Sequence, residues 1–175
     1  MLWIGIDNGV SGSIGVRDAG ALADYLHMPI KKVLSYTKKK QWVNRIDVDK
    51  LRFYLRNIGV NDKDMKVLLE RPMVNPMRFK ASESALRSFE ATLIVLEELK
   101  IPYEYIDSKE WQRALLPKKL EKDELKGAAL SVGKRLFPSV DFEGFNDADG
   151  ILIAEYHRRK DADLLRAAQS TGQAG

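Results

Sequence analysis

The order of short apolar segments restricts the possible folds of this 175-residue chain more than any other feature. Three segments typical of strands come first, at residues 2–6, 13–17 and 21–28, and a turn rich in small residues joins the first two. Helical segments then alternate with two further strand-like runs, at residues 66–70 and 101–106. This order predicts a mixed α/β sheet with helices on its faces.

The helices are predicted from apolar residues at three- and four-residue spacing and from residues that stop a helix. Leu51, Leu55 and Ile58 form one such set, with Gly59 as the stop signal, and Pro138 follows another. The predicted helices cover residues 48–58, 82–99, 122–137 and 145–160, and a short one is capped by Ser108.

The remaining segments are interpreted as connections. Residues 30–46 are basic and weakly periodic, which favours an exposed connection, and residues 71–80 contain two prolines, which favours a loop. Because no linker or internal repeat divides the chain, we expect one domain over residues 1–160 and a flexible tail over residues 161–175.

Composition excludes several classes of protein. The chain has no cysteine, which rules out a disulfide scaffold and any thiolate metal site. It has no apolar run long enough to span a bilayer, and we expect a cytoplasmic protein without a membrane partner. The formal charge of +4 favours a polyanionic partner only mildly, since the basic residues are scattered along the chain.

Two strand-like runs end in an acid, Asp7 in LWIGID and Glu70 in KVLLE. An acid at the end of a buried strand is unfavourable unless it is paired, hydrogen-bonded or bound to a cation. Two more acids, Asp147 and Asp149, lie at the predicted start of the last helix. If these elements meet, the four carboxylates suit Mg²⁺, which takes oxygen ligands, and a two-ion site of this kind hydrolyses phosphodiesters.

Each acid also has a purely structural interpretation. Asp7 before Asn8 fits turn chemistry, and Glu70 could form an ion pair at the end of its strand. Asn146 and Asp149 fit the N-cap and N3 positions of a helix. Taken singly, these interpretations are as good as a metal role, and only the combination of acids favours the metal site.

Three stretches, GIDNGVSGSIGV, LLERP and NDADGILIAEY, resemble in order and spacing the RuvC-type Holliday junction resolvases of the RNase H-like superfamily, and the phage-type members most. The resemblance covers most of residues 1–157. It implies a five-stranded mixed sheet flanked by helices on both faces. It also implies a homodimer that nicks paired strands of a four-way DNA junction with Mg²⁺, or Mn²⁺ in its place, and two ions in each site.

The resemblance assigns metal-ligand roles to Asp7, Glu70 and Asp149. The fourth acid of the family falls on Asn146, which has no carboxylate, so Asp147 is the candidate substitute. Lys126 matches a basic residue that would contact the scissile phosphate, although a solvated helix lysine is an equal alternative.

Further residues are candidates for DNA contact. The loop after Glu70 can reach DNA in this fold, and it combines charge with an aromatic ring. Trp111 could stack on a base, but a role in the core is favoured. The helix at residues 82–99 is the expected dimer helix by analogy. The candidate DNA-binding residues are Arg78, Phe79, Lys80, Lys118 and Lys119.

The sequence leaves four functions open. The first is a Mg²⁺-dependent endonuclease for four-way or other branched DNA, and the second is the same chemistry on an RNA–DNA hybrid or a flap. The third is an actin-like ATPase, which needs a second lobe that 175 residues do not accommodate, so no nucleotide cofactor is expected. The fourth is a catalytically weakened junction-binding protein, which Asn146 keeps open.

Overall fold

A computed structural model describes residues 1–20, 22–58 and 64–172 of the chain, with side chains up to residue 167. The strands are β1 (Leu2–Asp7), β2 (Ser13–Asp18), β3 (Ala23–His27), β4 (Ile30–Leu34), β5 (Trp42–Ile46), β6 (Met65–Glu70) and β7 (Tyr103–Ile106). The helices are α1 (Val48–Ile58), α2 (Phe79–Glu98), α3 (Ser108–Leu115), α4 (Leu125–Leu136) and α5 (Asp149–Gly172). None of these helices is both long and apolar enough to cross a membrane.

The main sheet has five strands in the order β3-β2-β1-β6-β7. β1 pairs antiparallel with β2, and β2 with β3, whereas β6 runs parallel to both β1 and β7. The prediction of a five-stranded mixed sheet is therefore confirmed. β4 and β5 form a separate antiparallel ribbon.

Helices cover both faces of the sheet, as expected. Ile4 and Ile6 of β1 project to one face, where they share a core with Leu51 of α1 and Leu96 of α2. A second core on the opposite face contains residues of α3, α4 and α5, among them Trp111, Ala129 and Ile151, packed against Leu68 of β6. The alternation of side chains along β1 and β6 separates the two cores.

Two connections were predicted wrongly. Residues 30–46 form the β4–β5 ribbon, because Val33 and Val43 pair across it and the lysines between them hide the alternation. The segment 71–80 is a loop only to Asn75: a 3₁₀ turn follows at Pro76–Arg78, and α2 already begins at Phe79.

Several helix ends also differ from the prediction. Ser108 is the first residue of α3, and the N-cap is Asp107. α4 begins at Leu125 rather than at residue 122. The predicted stop signal Gly59 and the predicted first residue of the third strand, Ala21, lie outside the described residues.

The last helix begins at Asp149, not at residue 145, and continues to Gly172 instead of ending near residue 160. The side chain of Asp161 accepts hydrogen bonds from Trp3 Nε1 and Lys66 Nζ, each at 2.9 Å. These bonds attach α5 to β1 and β6 beyond the predicted end of the helix, and strong helix formers such as Leu164 and Leu165 favour its continuation. The flexibility of residues 161–175 stays a prediction.

Two glycines that pair across β1 and β2 allow the backbone of α5 to lie directly on the sheet. Gly5 and Gly15 are register partners. A Cβ atom on Gly5 would lie 2.2 Å from the carbonyl oxygen of Gly150, and one on Gly15 would lie 2.1 Å from Cα of Ile151. Both distances are far inside van der Waals contact. The first turn of α5 is therefore positioned by contact between backbones.

One buried carboxylate fastens the middle of α5. Glu155 is 4% exposed and pairs with Arg17 of β2 at 3.4 Å, with Arg158 at 2.9 Å and with Arg159 at 2.7 Å. Burial raises the pKa of Glu155, but the hydrogen bonds from Arg158 and Arg159 outweigh it and lower the pKa to about 2. Glu155 is therefore ionised in the folded protein and joins α5 to the sheet.

The substitution Glu155→Gln is expected to lower the free energy of unfolding by about 3 kcal/mol at pH 7, because three arginines lose their common carboxylate. The folded pKa near 2 lies below the ordinary value of 4.5, so this stabilisation is present above pH 4.5 and declines as the pH falls towards 2. Urea unfolding at pH 7 and pH 4 measures it. The control Glu104→Gln removes an exposed pair with Lys160 and is expected to change stability by less than about 1 kcal/mol. An equal effect of both substitutions would contradict the role of Glu155.

Candidate active site

Asp7 and Glu70 end two adjacent parallel strands. Ile6 of β1 is the register partner of Leu69 of β6, so the next residue on each strand is an acid. Both acids project to the face that carries α5, because the apolar residues before them, Ile6 and Leu69, point into the opposite core. The sheet thus brings together two carboxylates that lie far apart in the sequence.

The N-terminus of α5 brings two further carboxylates to the same corner. Gly150 donates a backbone hydrogen bond to Ser13 Oγ at 3.1 Å. The hydroxyl of Tyr25 lies 3.0 Å from Ser13 Oγ and 3.2 Å from Asp147 Oδ1. This buried network holds the segment before α5 against β2 and β3, and it places Asp147 and Asp149 beside the ends of β1 and β6.

Burial and the charges of neighbouring acids raise the pKa values of Asp7, Glu70 and Asp149. Burial and the charge of Asp147 raise the pKa of Asp7 to about 6. Burial and the charge of Asp7 raise the pKa of Glu70 to about 7. Burial, followed by the charges of Asp147, Asp7 and Glu70, raises the pKa of Asp149 to about 8. Because Asp147 acts on all three of these acids, and Asp7 acts on Glu70 and Asp149, the four carboxylates form one electrostatic cluster.

Lys126 is a cation beside this cluster. Its Nζ donates a hydrogen bond to Asp147 at 3.2 Å, which raises the pKa of the lysine, and the charge of Lys126 opposes the rise in the pKa of Asp7. The lysine side chain is 66% exposed, so it can also reach an anion from solvent. Lys126 therefore lies beside the acids, and its contact with a scissile phosphate stays a prediction.

Trp111 contacts the carboxylate of Glu70 from the second core. The indole ring is fully buried among the residues of the second core, and its Nε1 donates a hydrogen bond to Glu70 Oε2 at 2.9 Å. This bond lowers the pKa of Glu70 against the larger effect of burial. The favoured role of Trp111 in the core is confirmed, and the bond to Glu70 gives it a positioning role that the sequence did not reveal.

The donor atoms of the cluster fit a hard divalent cation. All four acids offer oxygen, the ligand atom of Mg²⁺. Burial, followed by the charges of neighbouring acids, raises the pKa values of Asp7, Glu70 and Asp149, so a bound cation would favour their ionised forms. In the described part of the chain, no three Asp, Glu or His side chains are arranged to hold one ion. Asp147 and Glu70 are instead engaged by Lys126 and Trp111.

The structure also tests the interpretation of Asn146 and Asp149 as helix-capping residues. α5 starts at Asp149, so Asn146 and Asp149 are not its N-cap and N3 residues, and Asn146 is exposed. Asp147 is 7% exposed and lies inside the cluster. The buried carboxylate beside Asp149 therefore comes from Asp147, and its role as the fourth metal ligand stays a prediction.

The small residues after β1 have separate roles. A Cβ atom on Gly12 would lie 2.0 Å from the carbonyl oxygen of Asp7, which requires glycine, whereas a Cβ atom on Gly9 would meet no atom closer than 4.0 Å. Asn8 accepts a hydrogen bond from Thr92 of α2 at 3.1 Å. This bond attaches the loop after Asp7 to the helix on the other face of the sheet.

The candidate DNA-binding residues are all exposed and fall into two groups. Arg78, Phe79 and Lys80 lie at the start of α2, and the Phe79 side chain is 72% exposed. Lys118 and Lys119 lie between α3 and α4, where they line a groove with Arg113. Within the described ranges, none of the lysines in either group is paired with an acid.

The functional residues missing from the sequence prediction are Ser13 and Tyr25. Ser13 lies in β2 and Tyr25 in β3, and both side chains project to the face of the sheet that carries α5. A polar side chain at such a position is a signal of a partner across the sheet, but the partner, Asp147, lies 122 residues from Tyr25. Only the folded chain identifies it.

Comparison with solved structures places this arrangement in a known fold. Thermus thermophilus RuvC in complex with a Holliday junction substrate superimposes with a TM-score of 0.55 at 16% identity, over 88% of this chain and 90% of that one. A second structure of Thermus thermophilus RuvC gives a TM-score of 0.51 at 19% identity, over 88% and 91% of the two chains. No protein-family model and no curated protein sequence matches the chain. The chain therefore has the RNase H-like fold found in RuvC.

Proposed function

We propose that this protein is a divalent-metal-dependent endonuclease that resolves four-way or other branched DNA by paired nicking. The observation that carries the proposal is the cluster of Asp7, Glu70, Asp147 and Asp149 at one corner of a RuvC-like sheet. The related structure of RuvC contains a Holliday junction substrate, which supports branched DNA as the ligand class.

The four acids have distinct tasks in this proposal. Asp7, Glu70 and Asp149 would hold the metal, and Asp147, which accepts a hydrogen bond from Lys126, would be a further ligand. When bound, one or two Mg²⁺ ions, or Mn²⁺ in their place, supply an activated water and neutralise the leaving oxygen, which gives a 5′-phosphate and a 3′-hydroxyl.

Other residues bind and orient the substrate. Lys126, whose side chain is 66% exposed, would contact the scissile phosphate as a point charge. Trp111 holds the Glu70 carboxylate in one orientation. The exposed residues Arg78, Phe79 and Lys80 contact the DNA strands near the branch, and Lys118 and Lys119 contact the phosphate backbone.

Paired nicking requires two active sites, so we propose a homodimer formed through α2. This helix buries Val95 and Leu96 against the sheet and leaves Leu86 47% and Ile94 52% exposed on another side. Light scattering coupled to size exclusion tests the dimer, and a monomer at micromolar concentration would contradict it.

The function is tested by incubating the protein with a four-way junction, a linear duplex and an RNA–DNA hybrid of the same sequence. Each substrate is offered with Mg²⁺, with Mn²⁺ and with a chelator. We expect symmetric nicks in the junction only, and only with metal.

The other outcomes separate the alternatives. Cleavage of the hybrid would replace the junction with an RNase H-type substrate. Binding of the junction without cleavage in either metal would indicate a junction-binding protein, in agreement with the engagement of Asp147 by Lys126.

The substitution Trp111→Phe is expected to reduce junction cleavage about tenfold at limiting Mg²⁺, because removal of a group that orients a ligand weakens metal binding. Saturating Mg²⁺ should recover most of the rate, a response that a purely structural role of Trp111 does not predict. Metal titration of the cleavage rate measures the effect, together with urea unfolding to follow the loss of packing. An unchanged Mg²⁺ dependence would show that the bond to Glu70 does not orient the carboxylate.

A further inference from the structure

A groove of about 600 Å³ lies between the β4–β5 ribbon and α2, on the side of the sheet opposite to α5. The ribbon and its loop, residues 30–46, contain five lysines, one arginine and no acid. The cations that line the groove are Lys31 and Arg45 from the ribbon and Lys80 and Arg87 from α2. The single acid in its lining is Glu83, which is already paired with Arg87 at 2.5 Å.

The ribbon holds two like charges in an unfavourable position. Lys31 and Arg45 are direct cross-strand partners, an arrangement that destabilises a strand pair unless a counter-charge is present. Neither residue forms an ion pair within the described ranges. A bound anion would relieve the repulsion between them, so the groove has the charge of a binding site for phosphate groups.

Two exposed aromatic side chains line the groove. Tyr36, from the loop between β4 and β5, is 82% exposed, and the guanidinium of Arg87 lies 5.3 Å from the centre of its ring. Phe79, at the start of α2, is 72% exposed. Aromatic rings beside a basic groove bind unpaired bases by stacking, whereas the bases of a duplex already stack on one another.

Two loops connect the carboxylate cluster to the groove, one after Asp7 and one after Glu70. Val10, three residues after Asp7, lines it, and the bond between Asn8 and Thr92 attaches this loop to α2. Phe79 and Lys80 follow the loop that begins at the end of β6. The loops that follow Asp7 and Glu70 therefore run from the cluster to residues that line the groove.

We propose that this groove binds unpaired nucleotides of the DNA strand that leaves the carboxylate cluster at a branch point. The proposal rests on the endonuclease function for the identity of the strand, but the binding of single-stranded DNA is measured separately from cleavage. It assigns a role to residues 30–46, for which the sequence indicated only an exposed connection.

The test uses the full chain, a chelator to prevent cleavage, and a fluorescently labelled oligothymidylate of roughly 12 nucleotides. Lys31→Ala removes a groove cation, and the matched control Lys32→Ala removes the neighbouring cation on the opposite face of the same strand. For Lys31→Ala we expect the slope of log affinity against log salt to fall by about 0.7, the value for one phosphate contact on a single strand. Lys32→Ala is expected to leave the slope unchanged.

A third variant, Tyr36→Leu, tests stacking, and we expect about tenfold weaker oligonucleotide binding with an unchanged salt slope. A blunt duplex of the same length should lose no affinity in this variant. Thermal melting establishes that each variant is folded.

Equal effects of Lys31→Ala and Lys32→Ala would overturn the proposal, as would normal oligonucleotide binding by Tyr36→Leu. If no branched DNA is cleaved but the salt slope still falls for Lys31→Ala and not for Lys32→Ala, the proposed endonuclease function is wrong and the proposed binding of single-stranded DNA in the groove is retained. If the junction is cleaved and the two variants have the same salt slope, only the proposal for the groove is wrong.

Discussion

Replacing Gly15 with alanine is expected to lower the free energy of unfolding by about 3 kcal/mol and to abolish any activity that depends on the N-terminus of α5. The new Cβ atom would lie 2.1 Å from Cα and 2.3 Å from the backbone nitrogen of Ile151. Because these atoms belong to the backbone, no rotamer change removes the overlap, and α5 has to move away from β2. Urea unfolding of wild type and variant measures the loss.

The matched control is Gly127→Ala, in which the added Cβ atom meets nothing within 4 Å. Gly127 lies in α4, so alanine should stabilise the protein by about 0.5–1 kcal/mol. If Gly15→Ala were as stable as Gly127→Ala, contact between backbones would not position α5.

The substitution Asp7→Asn is expected to reduce metal-dependent cleavage by more than about 100-fold, since even the groups that orient metal ligands contribute 10- to 100-fold. Asparagine keeps the size of the side chain and removes its charge. Affinity for the junction should be retained, because phosphate contacts supply most of the binding free energy. Burial and the charge of Asp147 raise the pKa of Asp7, so loss of this charge should also leave the folded protein at least as stable.

Cleavage rate, junction affinity and urea unfolding together separate a role in catalysis from a role in folding. Asp163→Asn is the matched control, since Asp163 is exposed on α5 and pairs only with Arg166 in the described structure. Asp163→Asn should cleave at the wild-type rate. Wild-type cleavage by Asp7→Asn would remove Asp7 from the metal site.

The main features of the fold could be predicted because they depend on local patterns. The apolar runs of β1 and β6 and the acids that end them are visible in the sequence, and the parallel pairing of the two strands, which the sequence left open, places Asp7 and Glu70 on one face of the sheet. The β4–β5 ribbon escaped prediction because lysines occupy both faces of β4 and Ile46 is the one fully buried residue of its two strands. A ribbon of this kind is stabilised by its hydrogen-bonded register more than by apolar burial.

The site was predictable to the level of its acids but not of their partners. The ends of strands and the start of a helix are positions where the sequence alone indicates a function for a carboxylate. The bonds from Trp111 to Glu70 and from Tyr25 to Asp147 join residues 41 and 122 positions apart, and no local pattern encodes such pairs. The likeness to phage-type members and the number of metal ions stay predictions from the sequence.

The glycine pair Gly5 and Gly15 limits how far the N-terminus of α5 can shift when other residues are substituted. Where side chains fill an interface, a substitution is absorbed by repacking, and the two elements shift by small amounts. At the first turn of α5 no side chain separates the helix from the sheet. The helix is attached to the sheet again by the pair of Glu155 with Arg17 and by the bond from Trp3 to Asp161. We therefore expect substitutions elsewhere on the surface of α5 to leave the position of Asp149 relative to Asp7 unchanged.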